Sequence, residues 1–387
     1  MKKIAILTGT RAEYGLLKPL IYKLDQDQDL ELCLIVTGTH LEESYGETIH
    51  EIEKDGLCIK YKVDMDLKSD QPRGILKSMS LELDGLAEVF AEEKIDLLVL
   101  LGDRYEILMA AICALINRIP IAHIHGGELT QGLIDEGIRH AVTKMSAIHF
   151  TSTEQYRKRV IQMGENPDKV FNVGALGVEN IANIRYLSQA ELTEKFHIDW
   201  NKPVIMVTYH PVTLENNTAQ KQFGNLLHIL DNHKQYNYIF TYANADTDGQ
   251  IINRMIEQFV AANENCRAFA SMGQEGYLST LKYAYAVVGN SSSGIIEVPS
   301  FQIPTVNIGN RQTGRVKADS IIDCGTSEKE INTAFEYAMS EEFRRICCKT
   351  RNPYEGERTS ERIVDHIKNY LSSFKNTEKI FYDLEDM

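Results

Sequence analysis

The sequence predicts an α/β fold built from two doubly wound parallel sheets. Three observations carry that prediction. Short β-branched runs alternate with helical patterns along most of the 387 residues. Several of these runs are apolar on both faces, as strands inside a buried parallel sheet must be. The alternation also pauses once, at 175–203, and then resumes, which divides a chain too long for one ordinary domain into two series.

The first series opens with a strand at 3–9, "KIAILTG", followed by a helix on which Leu16, Leu20 and Leu24 recur at helical spacing. Pro19 falls inside that pattern and is expected near the helix start or at a kink. Further strands are read at 31–38, 95–103, 119–127, 147–153 and 169–174, with helices at 108–118 and 154–164 between them. The mixed, polar segment 175–203 reads as a hinge. The second series places strands at 203–211, 236–244, 266–270, 284–290, 303–310 and 320–325. The stretch 360–374 reads as a last helix that can pack on either domain. The expected division is a first domain over 1–175, a second over 176–360, and a C-terminal helix and tail over 361–387, for which packing back on the first domain is one option.

Bulk composition narrows the function classes. A hydrophobic content of 43% and a charged content of 25% are those of an ordinary globular protein. The formal net charge of −14 argues against nucleic acid as a partner, since a phosphate backbone needs a basic surface. A small anionic ligand needs only a local cluster of arginines and backbone N–H groups. No apolar run approaches the length of a membrane span, and the N-terminus lacks a signal-peptide pattern, so a cytoplasmic protein without membrane association is expected. Seven cysteines without a C-x-x-C suggest neither a disulfide framework nor zinc. No metal-ligand spacing appears, and no metal or cofactor is expected. The absence of G-x-G-x-x-G after a strand, and of a Walker A sequence, weighs against NAD, FAD and ATP.

In doubly wound domains ligands bind beyond the carboxyl ends of the strands. With two such sheets, that points to a cleft between the domains. Those ends are unusual here: Thr8-Gly9-Thr10-Arg11, Gly38-Thr39-His40, Gly102-Asp103-Arg104, His125-Gly126-Gly127-Glu128, Tyr209-His210-Pro211, Asn244, Gly289 to Gly294, and Gly309-Asn310-Arg311. Strand after strand closes in glycine plus a polar or ionisable residue, which marks a site rather than a set of turns. "GNSSSG" (289–294) delivers three hydroxyls and a glycine to a helix start. Unpaired N–H groups at the positive end of a helix dipole suit a phosphate, although one serine there also serves as an ordinary cap. Glu297 closes a capping box with a serine or accepts ribose hydroxyls. Asp135 reads equally as a helix cap or as a reactive carboxylate. His123 alternates with His125 and faces the other side of its strand, so it reads as structural. His149 and the remaining histidines read as ordinary surface or core residues.

Taken together, "TGTRAEYG" (8–15), "VTGTHL" (36–41), "LGDRYE" (101–106), "HIHGGE" (123–128), "DEGIRHAVTK" (135–144), "HPVT" (210–213), "NAD" (244–246), "GNSSSG" (289–294) and "NIGNRQTGR" (307–315) resemble the hydrolysing UDP-N-acetylglucosamine 2-epimerases of sialic acid biosynthesis. The match runs in order from residue 3 to about 315. The resemblance implies a GT-B-like pair of Rossmann-like domains with the active site in the interdomain cleft. It implies anti elimination of UDP from UDP-GlcNAc to 2-acetamidoglucal, then hydration to free N-acetylmannosamine. It also implies a homodimer or homotetramer.

By position, the resemblance makes Arg11, Arg104 and Arg311 contacts of the UDP-sugar and His40 a cleft histidine. Asp103 becomes an acid–base or sugar-contacting carboxylate, Asp135 a catalytic carboxylate, and His210 a group beside the diphosphate that counts with them among the acid–base candidates. Asn244 becomes a uridine contact, Ser291 and Ser292 with Gly294 the phosphate cradle, and Glu297 the ribose acceptor. One departure is visible. Many relatives read "HIEGGE", whereas here the third residue is His125, so the second acid–base role falls to His125 or to Glu128. The rival readings are a hydrolysing 2-epimerase of UDP-N,N'-diacetylbacillosamine, a non-hydrolysing epimerase, a GT-B glycosyltransferase and a catalytically inactive UDP-sugar sensor.

Overall fold

The computed structural model describes residues 1–43, 46–69, 71–130, 134–211, 218–243, 249–374 and 378–384. It divides into two compact units. One comprises residues 1–128, 135–180 and 356–387, and the other comprises 129–134 and 181–355.

The first unit is built on seven parallel strands: β1 (Lys2–Thr8), β2 (Leu30–Thr37), β3 (Ile59–Val63), β4 (Leu97–Leu101), β5 (Ile121–Ile124), β6 (Ile148–Thr151) and β7 (Val170–Asn172). Their order is β3-β2-β1-β4-β5-β6-β7. The order reverses between β1 and β4, the switch point at which a doubly wound sheet opens a crevice. β4, "LLVLL", is buried along its whole length, which explains its unbroken apolar run. β3 was not expected. "IKYKV" is an edge strand that alternates lysines outward, a habit that protects sheet edges and hides them from an apolar-run reading.

Pro19 sits inside the helix Arg11–Asp25 rather than near its start. A proline removes the N–H that would have bonded the carbonyl four residues back, here Gly15. Asn180 replaces it, donating its side-chain N–H to the Gly15 oxygen at 2.9 Å. That bond ties residue 180 to the first unit. The expected hinge is largely helical, with helices Leu176–Asn183 and Gln189–Phe196, the latter opened by a Ser188–Glu191 capping box. The chain leaves the first unit at Asn180/Ile181 and returns at Gly356, a few residues from the expected 175/176 and 360/361. Gly356 is required at the return, since a Cβ there would lie 2.1 Å from the Val173 oxygen. The Thr359 hydroxyl then donates to that same oxygen at 2.8 Å. The last helix, Thr359–Ser373, buries Ile363, Ile367 and Leu371 in the core that holds Leu17, Leu20 and Leu24. Each such side chain contributes about 1.5–3 kcal/mol.

His149, read as ordinary, is a fully buried core residue 2.9 Å from Glu165. Despite burial, His149, Lys144 and Lys379 hold the Glu165 carboxyl down to about 2.

The second unit carries β8 (Val204–Thr208), β9 (Asn237–Thr241), β10 (Cys266–Phe269), β11 (Ala286–Gly289), β12 (Thr305–Ile308) and β13 (Ile321–Cys324), all parallel, in the order β10-β9-β8-β11-β12-β13. Its switch point lies between β8 and β11. No helix among the described residues is long and apolar enough to cross a membrane. The two Rossmann-like sheets are those the sequence predicts.

Candidate active site

Each unit presents its ionisable strand ends at its own switch point. In the first unit β1 closes in Thr8 and Gly9, and Thr10 caps the helix that begins at Arg11, its hydroxyl accepting from the Glu13 N–H at 3.2 Å. Arg11 donates to Glu51 at 3.0 Å and is partly exposed. β2 ends beside it because Gly38 adopts a φ of +62°, and a Cβ at that position would come within 2.5 Å of the Gly9 oxygen. His40 follows and is buried. Its ring nitrogens lie 3.2 Å from the Thr8 hydroxyl and 2.8 Å from the Thr48 hydroxyl. Burial draws its pKa down to about 4, so it stands neutral and braces the β1 and β2 ends.

β4 delivers Asp103 and Arg104. Asp103 forms an ion pair with Arg139, a buried residue of the helix Asp135–Met145. Arg139 also donates to the Glu128 carbonyl at 2.9 Å and lies 3.5 Å from the Glu136 carboxylate. One guanidinium therefore draws together the end of β4, the loop after β5 and the helix that Asp135 opens. The sequence reading missed Arg139, although it stands in the quoted "DEGIRHA". Asp135 is the first residue of that helix and half-buried, so its carboxylate sits at the positive end of the helix dipole.

The β5 loop carries the strained residue of the site. His125 has a φ of +66°, a left-handed conformation rare outside glycine. Its N–H is held by the Phe150 oxygen at 2.8 Å. Its Nδ1 lies 3.8 Å from Glu128 Oε1, which accepts from the Ser152 hydroxyl at 2.8 Å. His125 and Glu128 thus stand side by side. His123 points elsewhere, as alternation predicts: its ring meets the Gly102 oxygen at 2.8 Å and the Thr143 hydroxyl at 3.1 Å, and burial lowers its pKa to about 3.

At the second switch point β8 ends in His210 and β11 in Gly289-Asn290. Gly289, at φ +141°, packs so closely on β8 that a Cβ would fall 1.9 Å from the Thr208 oxygen. Asn290, another residue the sequence reading passed over, accepts from the His210 N–H at 2.7 Å and donates back to the His210 oxygen at 2.8 Å. Its own carbonyl accepts from Arg311 at 3.1 Å and from Gln312 at 2.9 Å. Burial first, and then the Arg311 charge, take the His210 pKa to about 3, so this imidazole is neutral at ordinary pH.

Ser291 caps the short helix Ser292–Ile296, accepting from the Ser293 N–H at 3.3 Å. Ser292 is its first residue, and Gly294 is buried against Thr305. The Ser293 hydroxyl is engaged with Tyr277 at 2.8 Å, which leaves Ser291 and Ser292 as the pair nearest the helix opening. Glu297 closes no capping box. It is the C-terminal cap of this five-residue helix, one turn too late to reach the N-cap. Burial raises its pKa, with the Ser293 hydroxyl partly offsetting the rise. Asn244 lies outside the described residues, as do parts of the 129–134 and "HPVT" loops.

The first switch point thus gathers Arg11, Asp103, Arg104, His125, Glu128 and Asp135. The second gathers His210, Ser291, Ser292, Gly294 and Arg311. The first set can move protons, and the second can neutralise an anion with N–H groups, hydroxyls and a guanidinium.

Comparison with known proteins bears on what the two sets serve. The family model for UDP-N-acetylglucosamine 2-epimerase matches residues 22–368. The chain is 40% identical over 387 residues to the polysialic acid biosynthesis protein P7 of Escherichia coli, covering 100% of this chain and 98% of that one. It is 42% identical over 344 residues to a GDP/UDP-N,N'-diacetylbacillosamine 2-epimerase (hydrolyzing) of Campylobacter jejuni, covering 89% of each. The solved UDP-GlcNAc 2-epimerase of Neisseria meningitidis, bound to UDP-GlcNAc, covers 95% of this chain and 100% of its own with a TM-score of 0.81. At 17% identity that likeness speaks for the fold, a pair of Rossmann-like domains of the GT-B kind.

Proposed function

The chain belongs to the UDP-N-acetylglucosamine 2-epimerase family, and we propose that it is a hydrolysing member that converts UDP-GlcNAc and water to N-acetylmannosamine and UDP. The observation that carries this reading is the division of labour between the switch points. Acid–base groups gathered by Arg139 stand on one, and an anion cradle with a neutral histidine stands on the other.

The C2 proton of a hexose is not acidic, so its removal must be matched by departure of the diphosphate from C1. Serine hydroxyls, the N–H groups at the helix Ser292–Ile296 and Arg311 stabilise the charge that develops on UDP. Arg11 and Arg104 add positive charge from the first unit, and Glu297 and Asn244 take the ribose and uracil. A carboxylate from the pair Asp103 and Asp135 takes the C2 proton, and the C1–O bond breaks to leave 2-acetamidoglucal and UDP. In the second step water adds its oxygen to C1, and a proton returns to C2 on the other face. In this reading His125 and Glu128, which stand 3.8 Å apart, deprotonate that water or deliver that proton. His210, held neutral, donates no proton at physiological pH and serves as a hydrogen-bonding group beside the diphosphate. The reading carries with it a cytoplasmic protein and a homodimer or homotetramer, as the family resemblance implies. The product suits sialic acid synthesis.

A second substrate, UDP-N,N'-diacetylbacillosamine, is supported by the name of the Campylobacter jejuni relative. Both nucleotide sugars, incubated with the protein in D₂O and followed by NMR, test the reading. The expected result is free N-acetylmannosamine with deuterium at C2 and an equal amount of UDP, formed faster from UDP-GlcNAc. A product still linked to UDP overturns hydrolysis, protium retained at C2 overturns elimination, and faster turnover of the diacetylated sugar reassigns the substrate.

A further inference from the structure

Behind the first switch point lie three glutamates that the chemistry above does not use. Glu13, Glu82 and Glu106 come from the helices Arg11–Asp25, Pro72–Glu92 and Tyr105–Ile116, and are 7%, 0% and 1% exposed. Three buried carboxylates in one place are costly unless each is paired or neutral. They meet that demand differently. Glu106 receives the Arg104 guanidinium on both oxygens, with Nε at 3.2 and 3.3 Å and a terminal nitrogen at 3.2 Å. Glu13 accepts the Gly9 N–H at 3.0 Å through one oxygen. Among the described residues, its other oxygen and both oxygens of Glu82 meet no hydrogen-bond partner.

Glu106 therefore stands apart from its neighbours. It also touches both loops of the switch point. Besides holding Arg104, it packs against the β1 loop so closely that a Cβ on Gly9 would lie 3.4 Å from its Cγ.

We infer that Glu106 is a positioning residue of the active site: buried behind the ends of β1 and β4, it fixes the direction in which Arg104 presents its guanidinium to the anionic part of the substrate. Electrostatics fits the geometry. Burial, reinforced by the charge of Glu106, raises the Glu13 pKa to about 8 and takes Glu82 well above the ordinary carboxylate range. Both are then neutral at physiological pH, and the negative charge of the cluster lies on the one member that faces an arginine. The guanidinium cannot swing away without leaving that charge buried and alone. Arg104 itself is about one-third exposed, so solvent reaches it.

The inference rests on Arg104 as a substrate contact, and the test separates the two claims. Arg104→Gln, Glu106→Gln and the double variant are compared by steady-state kinetics on UDP-GlcNAc. Loss of a guanidinium–anion contact is expected to raise KM roughly tenfold with little change in kcat. Glu106→Gln is expected to show the same split, and the double variant to be no worse than Arg104→Gln alone, because both remove one interaction. A purely structural glutamate would lower the melting temperature and leave KM where it was, and that result overturns the inference. If Arg104→Gln raises KM while Glu106→Gln does not, Glu106 is dismissed and Arg104 stands. If neither moves KM, Arg104 is not a substrate contact and the inference falls with it. Should Glu106→Gln fail to fold, Glu106→Asp serves. It retracts the carboxylate by one methylene, so a raised KM supports the positioning role and an unchanged KM overturns it.

Discussion

The two switch points share a fold and differ in what burial does to their charges. At the β8/β11 point the described ionisable groups are few. His210 is driven to neutrality, Arg311 is anchored to a backbone carbonyl, and the remaining donors are hydroxyls and N–H groups. At the β1/β4 point the charged groups are numerous and linked. Arg139 binds Asp103 and the Glu128 loop, Arg104 binds Glu106, and Glu13 and Glu82 are held neutral behind them. A fixed anion needs preorganised donors whose charge does not vary. Proton transfer needs groups close enough to alter one another's affinity for protons. The same strand–loop–helix geometry supplies either, and the side chains at the ends of two strands decide which.

The sharpest way to break this contrast is to remove a carboxylate proposed to transfer protons without touching the proposed cradle. Asp135→Asn keeps the shape and hydrogen-bonding reach but loses basicity. Turnover is expected to fall at least about 100-fold while UDP binding, measured by calorimetry, is unchanged. Near-normal turnover would leave Asp135 only its place as a helix N-terminal acid.

The complementary change weakens the cradle and leaves the acid–base set intact. Ser292→Ala removes one donor from the helix opening. UDP affinity is expected to drop by about 1–2 kcal/mol, the scale of one hydrogen bond to a charged group. Unaltered affinity in both Ser291→Ala and Ser292→Ala would place the nucleotide elsewhere.

The last expected effect is read in stability, one pH unit at a time. The Glu13 pKa is raised on folding from 4.5 to about 8. Between those values the native state binds more protons than the unfolded state. The contribution of Glu13 is therefore complete below pH 4.5 and is lost as pH rises through about 8. Glu13→Gln removes that dependence. Relative to the parent, the variant should gain up to about 1 kcal/mol per pH unit across this window, measured by urea unfolding at several pH values. A difference that stays flat with pH would show that Glu13 is not neutral in the fold.

Much of this was legible in the residues. The apolar runs located twelve of the thirteen strands among the described residues. The missed one, β3, carries its lysines outward at a sheet edge and lacks the doubly buried pattern. Pro19 lies inside its helix and not near the start, and its remedy is distant: the carbonyl it orphans is satisfied by Asn180, 165 residues away in sequence. A capping box at Glu297 requires the N-cap three residues before it, whereas the N-cap is Ser291. The helix ends after five residues, where Val298-Pro299 follows.

By itself the sequence determined the inventory: two series of parallel strands, and at their ends the arginines, carboxylates, histidines and serines of the proposed chemistry. These follow from local rules, since side-chain period and turn composition act over a few residues. Tertiary structure decided which ends meet and in what state of charge. The adjacency of β1 to β4 and of β8 to β11 is a matter of sheet order, which joins segments about 80–95 residues apart and leaves no mark on either segment alone. Arg139 finds Asp103, Asn290 finds His210, and Arg104 finds Glu106 only once that order exists. Neutral His210 and Glu13 are products of burial. Desolvation depends on everything packed around a group, and only the folded chain supplies that surrounding.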